Sequence, residues 1–177
     1  METTGKNLII VTGPESAGKT SVALKLAEKY GAGYYSEYAR DYIQQLTRKY
    51  NYYDILAIAN YQYEQFKTYC AKNELSIFDT YLIITKIWFL WHSNKYPDWI
   101  DNAITDTKKA LYLLCAPDIA WEPDPVRENG GKARITLFNA YRTELENYGL
   151  DYRIISGEGE LREMNAINFV EHYLKLK

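Results

Sequence analysis

The chain begins its first structured segment with Leu8-Ile9-Ile10-Val11-Thr12-Gly13-Pro14-Glu15-Ser16-Ala17-Gly18-Lys19-Thr20, an apolar run followed by a glycine-rich loop. Residues 13–20 match the pattern G-x-x-x-x-G-K-[ST], which binds phosphate where it joins a strand to a helix. The run 8–11 suits a short buried strand, and residues 18–30 show the apolar spacing of a helix. The motif therefore occurs in its required context and predicts a nucleotide-phosphate site.

The residue types in this loop suit phosphate binding for physical reasons. Gly13 and Gly18 permit backbone conformations in which successive N–H groups point at phosphate oxygens. The helix N-terminus adds its partial positive charge, Lys19 reaches the β- and γ-phosphates, and the Thr20 hydroxyl is a magnesium ligand. We therefore predict a site for ATP and Mg²⁺ formed by Gly13, Glu15, Ser16, Ala17, Gly18, Lys19, Thr20 and Ser21.

Signals that define two other nucleotide-binding classes are missing from the sequence. The guanine-reading pattern N-K-x-D fails because Asn94-Lys95-Tyr96 runs into Pro97. A strand that ends in Asp-Glu, which is typical of ATP-driven motors, is replaced by Ile77-Phe78-Asp79-Thr80. The sequence therefore argues against a GTPase and against a motor ATPase.

The rest of the chain alternates between short apolar runs and segments with helical periodicity. Continuous rather than alternating hydrophobicity is typical of parallel strands that are covered on both faces. We expect strands at 8–11, 34–36, 75–78, 111–114 and 152–155, and helices at 18–30, 37–49, 54–72, 80–92, 132–148 and 160–176. This order predicts an α/β fold, a five-stranded parallel sheet flanked by helices, in a single domain over residues 1–177.

Carboxylates follow two of the predicted strands. Asp79 ends the third strand beside the phosphate loop, where it is placed to hold Mg²⁺ with Thr20 or to accept from a substrate hydroxyl. Glu37 follows the second strand and is placed to accept the proton of an attacking hydroxyl, while Arg40 steadies a phosphate or the carboxylate. Structural alternatives stay open, with Asp79 as a helix N-cap and Glu37–Arg40 as a solvated surface pair. Either carboxylate is a candidate for the base.

The irregular stretch after the fourth strand is a candidate lid. Residues 116–131 hold prolines and charges of both signs, and a long polar loop inside such a domain is usually functional. Arg127 and Arg134 are placed to close over ATP and to neutralise charge as the γ-phosphoryl group moves. Trp121 is placed to stack on a planar base or pyridinium ring, or else anchors the loop by packing. We call residues 117–135 the lid segment.

Composition excludes several classes of function. With a formal net charge of −2, the chain lacks the excess of positive charge that is typical of a dedicated nucleic-acid-binding protein. Cys70 and Cys115 stand alone and only two histidines occur, so the sequence indicates no zinc site and no disulfide framework; both cysteines are expected to be buried thiols. Apolar runs are too short for a membrane helix or a signal-peptide core, so we expect a cytoplasmic protein without a membrane partner.

Tyrosine is over-represented, with 18 Tyr against five Phe and four Trp. Most of these tyrosines are expected on half-buried faces, where the ring packs and the hydroxyl stays in water. Tyr38, Tyr42 and Tyr81 flank the two carboxylates. We therefore predict these three as the tyrosines that contact substrate.

Together the motifs resemble the ribosylnicotinamide kinase domains of NadR-type proteins and their free-standing relatives. The resemblance spans nearly the whole chain and rests on residues 13–20, 37–42, 78–80, 118–127 and 157–162. It implies a P-loop fold of the nucleoside/nucleotide-kinase type, with Gly157 and Arg162 beside ATP and Asp124 among the substrate-binding residues. One position departs from the pattern: relatives often read Asp-Thr-Asp after the third strand, and Tyr81 stands here in place of the second Asp.

The resemblance also implies an activity, the phosphorylation of the 5′-hydroxyl of nicotinamide riboside by MgATP. Lys19, Glu37, Asp79 and Arg127 are then the expected catalytic residues, and the partner is a small nucleoside rather than a nucleic acid. Two alternatives stay open, namely a kinase for another nucleoside or nucleotide on the same scaffold, and an ATP-binding sensor or regulatory ATPase. A polynucleotide kinase is disfavoured by the acidic charge balance. The sequence does not indicate an oligomeric state.

Overall fold

Five parallel strands form the centre of the computed structural model, which describes residues 7–72 and 74–175. The strands are β1 (Leu8–Thr12), β2 (Gly33–Tyr35), β3 (Ser76–Asp79), β4 (Leu111–Cys115) and β5 (Asp151–Ile155), in the spatial order β2-β3-β1-β4-β5. The helices are α1 (Lys19–Tyr30), α2 (Tyr38–Gln44), α3 (Tyr52–Lys72), α4 (Leu82–Ser93), α5 (Trp99–Thr105), α6 (Lys132–Asn147) and α7 (Gly159–Lys175). The predicted fold class is confirmed.

Continuous apolar runs place β1, β3 and β4 in the middle of the sheet, where every residue of each strand is buried. Successive side chains of a strand point to opposite faces. Leu8 and Ile10 join the apolar cluster that α3, α4 and α6 cover, whereas Ile9 and Val11 join the cluster under α1 and α7. Because both faces are covered, β1 needs no polar alternation.

The sheet order brings the ends of β1 and β3 together. Val11 pairs with Asp79 in parallel register, and the N–H of Thr80 donates to the carbonyl oxygen of Val11 at 3.0 Å. The loop after β1 and the carboxylate at the end of β3 therefore lie side by side at the carboxyl edge of the sheet. Open α/β sheets bind their ligands at this edge.

Predicted strands and helices agree with the structure to within two residues, apart from α2 and α5. The helix predicted over 37–49 is wrong beyond Gln44, and the seven-residue α5 was not predicted. Asp54 explains the early end of α2, because its buried carboxylate accepts from Arg48 at 2.7 and 2.9 Å and from the N–H of Asn51 at 2.8 Å. These bonds hold the pKa of Asp54 well below its usual range, and those from Arg48 have the largest effect. Residue 176 of the last predicted helix lies outside the described residues.

Both lone cysteines were predicted to be buried thiols. Cys115 is fully buried, as predicted, and burial raises the pKa of its thiol to about 11, so it is not a thiolate at neutral pH. The side chain of Cys70 lies outside the described residues.

Within the ranges that the structure describes, no helix combines the length and apolar character needed to cross a bilayer.

Candidate active site

The phosphate loop adopts a backbone that depends on glycine. Gly13 has φ +144° and Gly18 has φ +72°, conformations that residues with a Cβ rarely adopt. A Cβ on Gly13 would also lie 2.7 Å from the carbonyl oxygen of Cys115. The loop therefore packs directly on the end of β4, and glycine is required at residue 13 for space as well as for backbone conformation.

Lys19 lies folded over this loop. Its side chain is buried, and Nζ donates to the carbonyl oxygen of Pro14 at 2.9 Å. The ammonium group therefore already sits inside the loop that is expected to hold the phosphates. A single hydrogen bond to a neutral carbonyl leaves two ammonium donors for a ligand.

Thr20 connects the loop to the end of β3. Its hydroxyl donates to Asp79 Oδ2 at 2.6 Å, and the Tyr34 hydroxyl donates to the same oxygen at 3.4 Å. The other oxygen, Asp79 Oδ1, is buried and has no hydrogen-bond partner within the described residues. Burial raises the pKa of Asp79, although the Thr20 hydrogen bond and the charge of Lys19 oppose the shift. The Asp79 carboxylate thus accepts hydrogen bonds through Oδ2 only, among the residues that the structure describes.

Glu37 stands immediately before α2 and faces the open cleft. Its carboxylate accepts no hydrogen bond from the residues that the structure describes, and it lines the same cavity as Lys19 and Thr20. Burial raises the pKa of Glu37, the attraction of Lys19 lowers it, and the repulsion of Asp79 raises it further. An unpaired carboxylate with a raised pKa is suited to accept a proton from a ligand hydroxyl.

A cleft of about 610 Å³ extends from the phosphate loop to the face between α3, α4 and α6. At one end it is lined by loop residues, including all eight predicted for ATP, and by Glu37, Arg40 and Arg127. At the other end aromatic and polar side chains converge, namely Tyr50, Gln62, Thr85, Trp88, Trp91, His92 and Tyr141. The cleft therefore joins the charged phosphate loop to an aromatic end, and its lining suits a small molecule with both charged and planar parts.

The lid segment is tied to both sides of the cleft. Glu15 of the phosphate loop accepts from the N–H of Asn129 at 2.8 Å and from its side-chain amide at 3.1 Å. On the opposite side Arg40 forms an ion pair with Asp124, and the Tyr50 hydroxyl donates to Glu128 at 2.9 Å. Residues 124–129 thus bridge the phosphate loop and the end of the cleft near α2.

Two arginines predicted to bind ATP hold the backbone. Arg134 is buried and donates to the carbonyl oxygens of Glu15, Ser16 and Ile119 at 3.1, 2.9 and 2.9 Å. Each guanidinium nitrogen of Arg134 thus has a backbone acceptor, and the side chain does not line the cleft, so its predicted contact with ATP stays a prediction. Arg127, by contrast, lines the cleft, where its Nη1 donates to the carbonyl oxygen of Glu122 at 2.5 Å.

Arg162 resembles Arg134 in this respect. It pairs with Asp118 and donates to the carbonyl oxygens of Gly157 at 2.8 Å and Ala17 at 3.0 Å. The N–H of Gly157 donates in turn to Asp118 at 2.7 Å. Gly157 and Arg162 therefore brace the phosphate loop from behind and do not line the cleft.

The three tyrosines predicted to contact substrate lie elsewhere. Tyr38 stacks on Tyr61 with ring centroids 3.6 Å apart, and the Tyr42 hydroxyl donates to Asp54 at 3.0 Å. Tyr81 is 1% exposed and its ring packs in the core against Phe66 and Phe78.

Tyr81 is directed inward by the backbone that precedes it. Thr80 has φ +73°, a rare conformation for a β-branched residue, and Tyr81 then starts α4 from an extended conformation. The chain thus turns sharply after Asp79, and residue 81, where the resemblance implies a carboxylate, faces the core. The prediction that the Tyr81 phenol contacts substrate is therefore corrected.

Trp121 and Asp124 of the lid segment also lie outside the cleft lining. A Cβ on Gly130 would lie 3.3 Å from the Trp121 indole, so the ring packs on the lid segment itself. This is the packing alternative for Trp121 rather than the stacking one. Asp124 contributes through its ion pair with Arg40.

Sequence reasoning missed the aromatic end of the cleft. Tyr50 follows the misassigned end of α2, and Trp88 and Tyr141 lie on helices whose apolar periodicity indicates only a core. One signal was available, because Gln62 lies four residues after Ile58 and four before Phe66 on the buried face of α3. A polar residue on such a face marks either a buried hydrogen bond or a site.

Comparison with protein families and curated proteins agrees with this fold. A family model described as AAA domain matches residues 8–162. The trifunctional NAD biosynthesis/regulator protein NadR of Salmonella typhimurium is 24% identical over 143 residues, which make up 77% of this chain and 35% of that protein. The Escherichia coli protein of the same description is 22% identical over 174 residues, or 94% of this chain and 42% of that protein. The chain thus spans less than half the length of these curated relatives.

Solved structures show the same likeness. A crystal structure of NadR protein in complex with NR has a TM-score of 0.78 and 21% identity, over 97% of this chain and 52% of that chain. Deoxyadenosine kinase from M. mycoides with bound dCTP has a TM-score of 0.65 and 14% identity, over 93% of this chain and 99% of that chain. These likenesses confirm the predicted P-loop fold of the nucleoside/nucleotide-kinase type.

Proposed function

This chain belongs to the AAA domain family, and from that premise we propose that it is a P-loop kinase that transfers the γ-phosphoryl group of ATP to the 5′-hydroxyl of a nucleoside, with nicotinamide riboside as substrate. The observation that carries the proposal is one cleft that joins Lys19 and Thr20 to Glu37 and then to an aromatic end. A nucleoside placed there has its hydroxyl between the phosphate loop and a carboxylate. Phosphoryl transfer requires mainly this positioning and the neutralisation of charge.

The residues at the end of β3 fit a magnesium ion. Asp79 Oδ1 is buried without a partner in the described part of the chain, and carboxylate and hydroxyl oxygens are the ligands that Mg²⁺ prefers. Thr20 and Asp79 are the residues that would hold it. A magnesium ion held by these two residues would neutralise negative charge on the phosphate groups.

Geometry favours Glu37 over Asp79 as the base. Asp79 Oδ2 is engaged by Thr20 and Tyr34, and Asp79 does not line the cleft, whereas Glu37 lines it without accepting a hydrogen bond from the described residues. Glu37 would orient the 5′-hydroxyl and take its proton as the oxygen attacks the γ-phosphorus, while the bond from that phosphorus to the β,γ-bridging oxygen breaks and ADP leaves. Lys19 and Arg127 would stabilise the negative charge on the transferring group.

Aromatic side chains support a planar base at the other end of the cleft. Tyr50 meets the ring of Trp88 edge-on at 4.9 Å between centroids, and Tyr141 lines the cleft from α6. Electron-rich ring faces favour a cationic pyridinium ring over a neutral base of the same size. The likeness to NadR, one structure of which is a complex with NR, supports the same substrate.

A screen of ATP consumption against nicotinamide riboside and the common ribonucleosides and deoxyribonucleosides tests the proposal, with mass detection of the monophosphate. We expect one phosphate to be added to nicotinamide riboside. A product from adenosine or cytidine alone would overturn the substrate and keep the kinase. Tight ATP binding with no product from any nucleoside would overturn the kinase.

A regulatory ATPase is the second candidate, because the matched family carries the description AAA domain. Phosphate release without a nucleoside acceptor would support it. The residue after Asp79 is Thr80 rather than the Glu of a motor ATPase, so we expect ATP turnover to depend on added nucleoside.

A further inference from the structure

A polar pair stands in the otherwise apolar wall between α3 and α4. Gln62 is 3% exposed and Thr85 is 1% exposed, yet both line the cleft. Thr85 Oγ1 and Gln62 Oε1 lie 2.6 Å apart. That length is typical of an O–H···O hydrogen bond and short for an N–H···O bond, so the Thr85 hydroxyl donates to the amide oxygen.

This bond decides which side of the amide remains available. Once the oxygen of Gln62 is engaged by Thr85, its NH₂ group is left without a hydrogen-bond partner among the described residues. The amide nitrogen of Gln62 is not among the fully buried polar atoms that lack a partner in the described residues, so it keeps access to the cleft and can donate to a ligand acceptor there. The Gln62 amide therefore offers a ligand its NH₂ group as a hydrogen-bond donor, while its oxygen is already bonded to Thr85.

The donor lies beside an aromatic surface. Trp88 follows Thr85 by about one turn of α4 and lines the same cleft, so a planar base stacked on the indole would share the cleft with the amide of Gln62. Flat stacking alone does not distinguish one base from another, whereas a fixed edge donor does.

We infer that Thr85 holds the amide of Gln62 with its NH₂ group toward the cleft, so that the site selects a nucleoside whose base carries a carbonyl oxygen at its edge. The inference rests on the proposed function and adds the feature of the base that is recognised. Gln62 is then a specificity-determining residue and Thr85 a positioning residue, because Thr85 acts through the amide. The carboxamide of nicotinamide riboside meets this requirement through its carbonyl oxygen.

Four pyridinium ribosides that differ only at the 3-position test the inference: the carboxamide, the acetyl compound as acceptor only, the amino compound as donor only, and the unsubstituted ring. Binding is followed by tryptophan fluorescence, since Trp88 and Trp91 line the cleft. We expect wild-type protein to bind the acetyl compound at least 10-fold more tightly than the amino compound. Comparable binding of the two, or no binding of any carbonyl-bearing riboside, would overturn the inference.

Variants separate orientation from packing. Gln62→Glu removes the donor and leaves acceptors, so the preference should reverse in favour of the amino compound. Thr85→Val releases the amide and should bring the acetyl-to-amino ratio to within threefold of one, while Thr85→Ser should restore the wild-type ratio. Uniform weakening of all four ligands in Thr85→Val would indicate a purely structural residue and would overturn its positioning role.

The same four ribosides also test the kinase proposal separately from the base preference. Each riboside is also incubated with MgATP, and the monophosphate is measured by mass. Correct binding ratios without any phosphorylated product would overturn the kinase and leave the base preference standing. Product formation with equal use of the acetyl and amino compounds would keep the kinase and overturn the base preference.

Discussion

The hydroxyl of Thr20 donates to the carboxylate of Asp79 at 2.6 Å and thereby joins the first turn of α1 to the end of β3. The two residues are 59 positions apart in the sequence. Parallel pairing of β1 with β3 brings them together, since Val11 stands beside Asp79 in the register. The pair thus follows directly from the sheet order.

Removing the Thr20 hydroxyl should impair the use of MgATP. We expect Thr20→Val to lower kcat/KM for MgATP by roughly 10- to 100-fold, which is the typical loss when a residue that supports a metal site is removed. Thr20→Ser keeps the hydroxyl and should stay within about threefold of wild type in steady-state assays over a range of Mg²⁺ concentrations. Equal activity of the Val and Ser variants would contradict the role of the hydroxyl.

Removing the Lys19 ammonium group should abolish turnover while the fold persists. Its bond to the carbonyl of Pro14 is a single neutral contact, so Lys19→Ala should change the melting temperature little, yet lower kcat by at least about 10²- to 10³-fold. Lys25→Ala, an exposed position on the same helix, is the matched control and should behave as wild type. A Lys19→Ala enzyme with near-normal kcat would rule out this lysine as the phosphate contact.

Titration of Glu37 should appear in the pH profile. A base acts in its ionised form, and burial raises the pKa of Glu37, so kcat/KM should fall with decreasing pH at a value above the usual range for glutamate. Glu37→Gln should lower kcat by about 10²- to 10⁴-fold and remove this acidic limb. Asp41→Asn, exposed one turn further along α2, should retain both the rate and the limb.

The same shift has a consequence for stability. A raised pKa means that the folded state binds the Glu37 proton more tightly than the unfolded chain does, so the ionised carboxylate destabilises the fold as pH rises. Glu37→Gln should therefore have a higher free energy of unfolding than wild type at neutral pH. The difference, measured by denaturant unfolding, should shrink as pH falls through the raised pKa.

Sequence reasoning located the phosphate end of the cleft because short-range rules govern it. The loop 13–20 needs only its own residues and the adjoining strand and helix, and Asp79 needs only parallel strand pairing. Glu37 follows from the same rule at the end of β2. These features depend on local pattern and on one topological regularity.

The aromatic end could not be located in this way, because it depends on how three helices face one another. Tyr81 was assigned to the site by its nearness in sequence to Asp79, but the positive φ of Thr80 directs its side chain into the core. Arg134 has the charge of a phosphate ligand, and only its burial against backbone carbonyls reveals its bracing contact. Side-chain direction and burial are tertiary properties that composition does not encode.

Arg134 should prove essential for the shape of the phosphate loop rather than for charge alone. Lysine keeps the charge but lacks the planar donors that reach Glu15, Ser16 and Ile119 together, so Arg134→Lys should lower the free energy of unfolding by about 2–3 kcal/mol and raise KM for ATP. Arg142→Lys on the exposed face of α6 should cost little. Equal stability of the two variants in denaturant unfolding would contradict the bracing role.

Placing at residue 81 the carboxylate that the resemblance implies should destabilise this protein. Tyr81 lies in the core between Phe66 and Phe78, so Tyr81→Asp removes a packed ring and leaves a charge in an apolar site. We expect the free energy of unfolding to fall by about 3–5 kcal/mol, the range for large-to-small core substitutions, without a gain in kcat/KM for nicotinamide riboside. Tyr81→Phe keeps the ring and should lose no more than about 1.5 kcal/mol. A stable Tyr81→Asp enzyme with raised kcat/KM would show that residue 81 can reach the substrate, and would contradict the inward orientation that follows from Thr80.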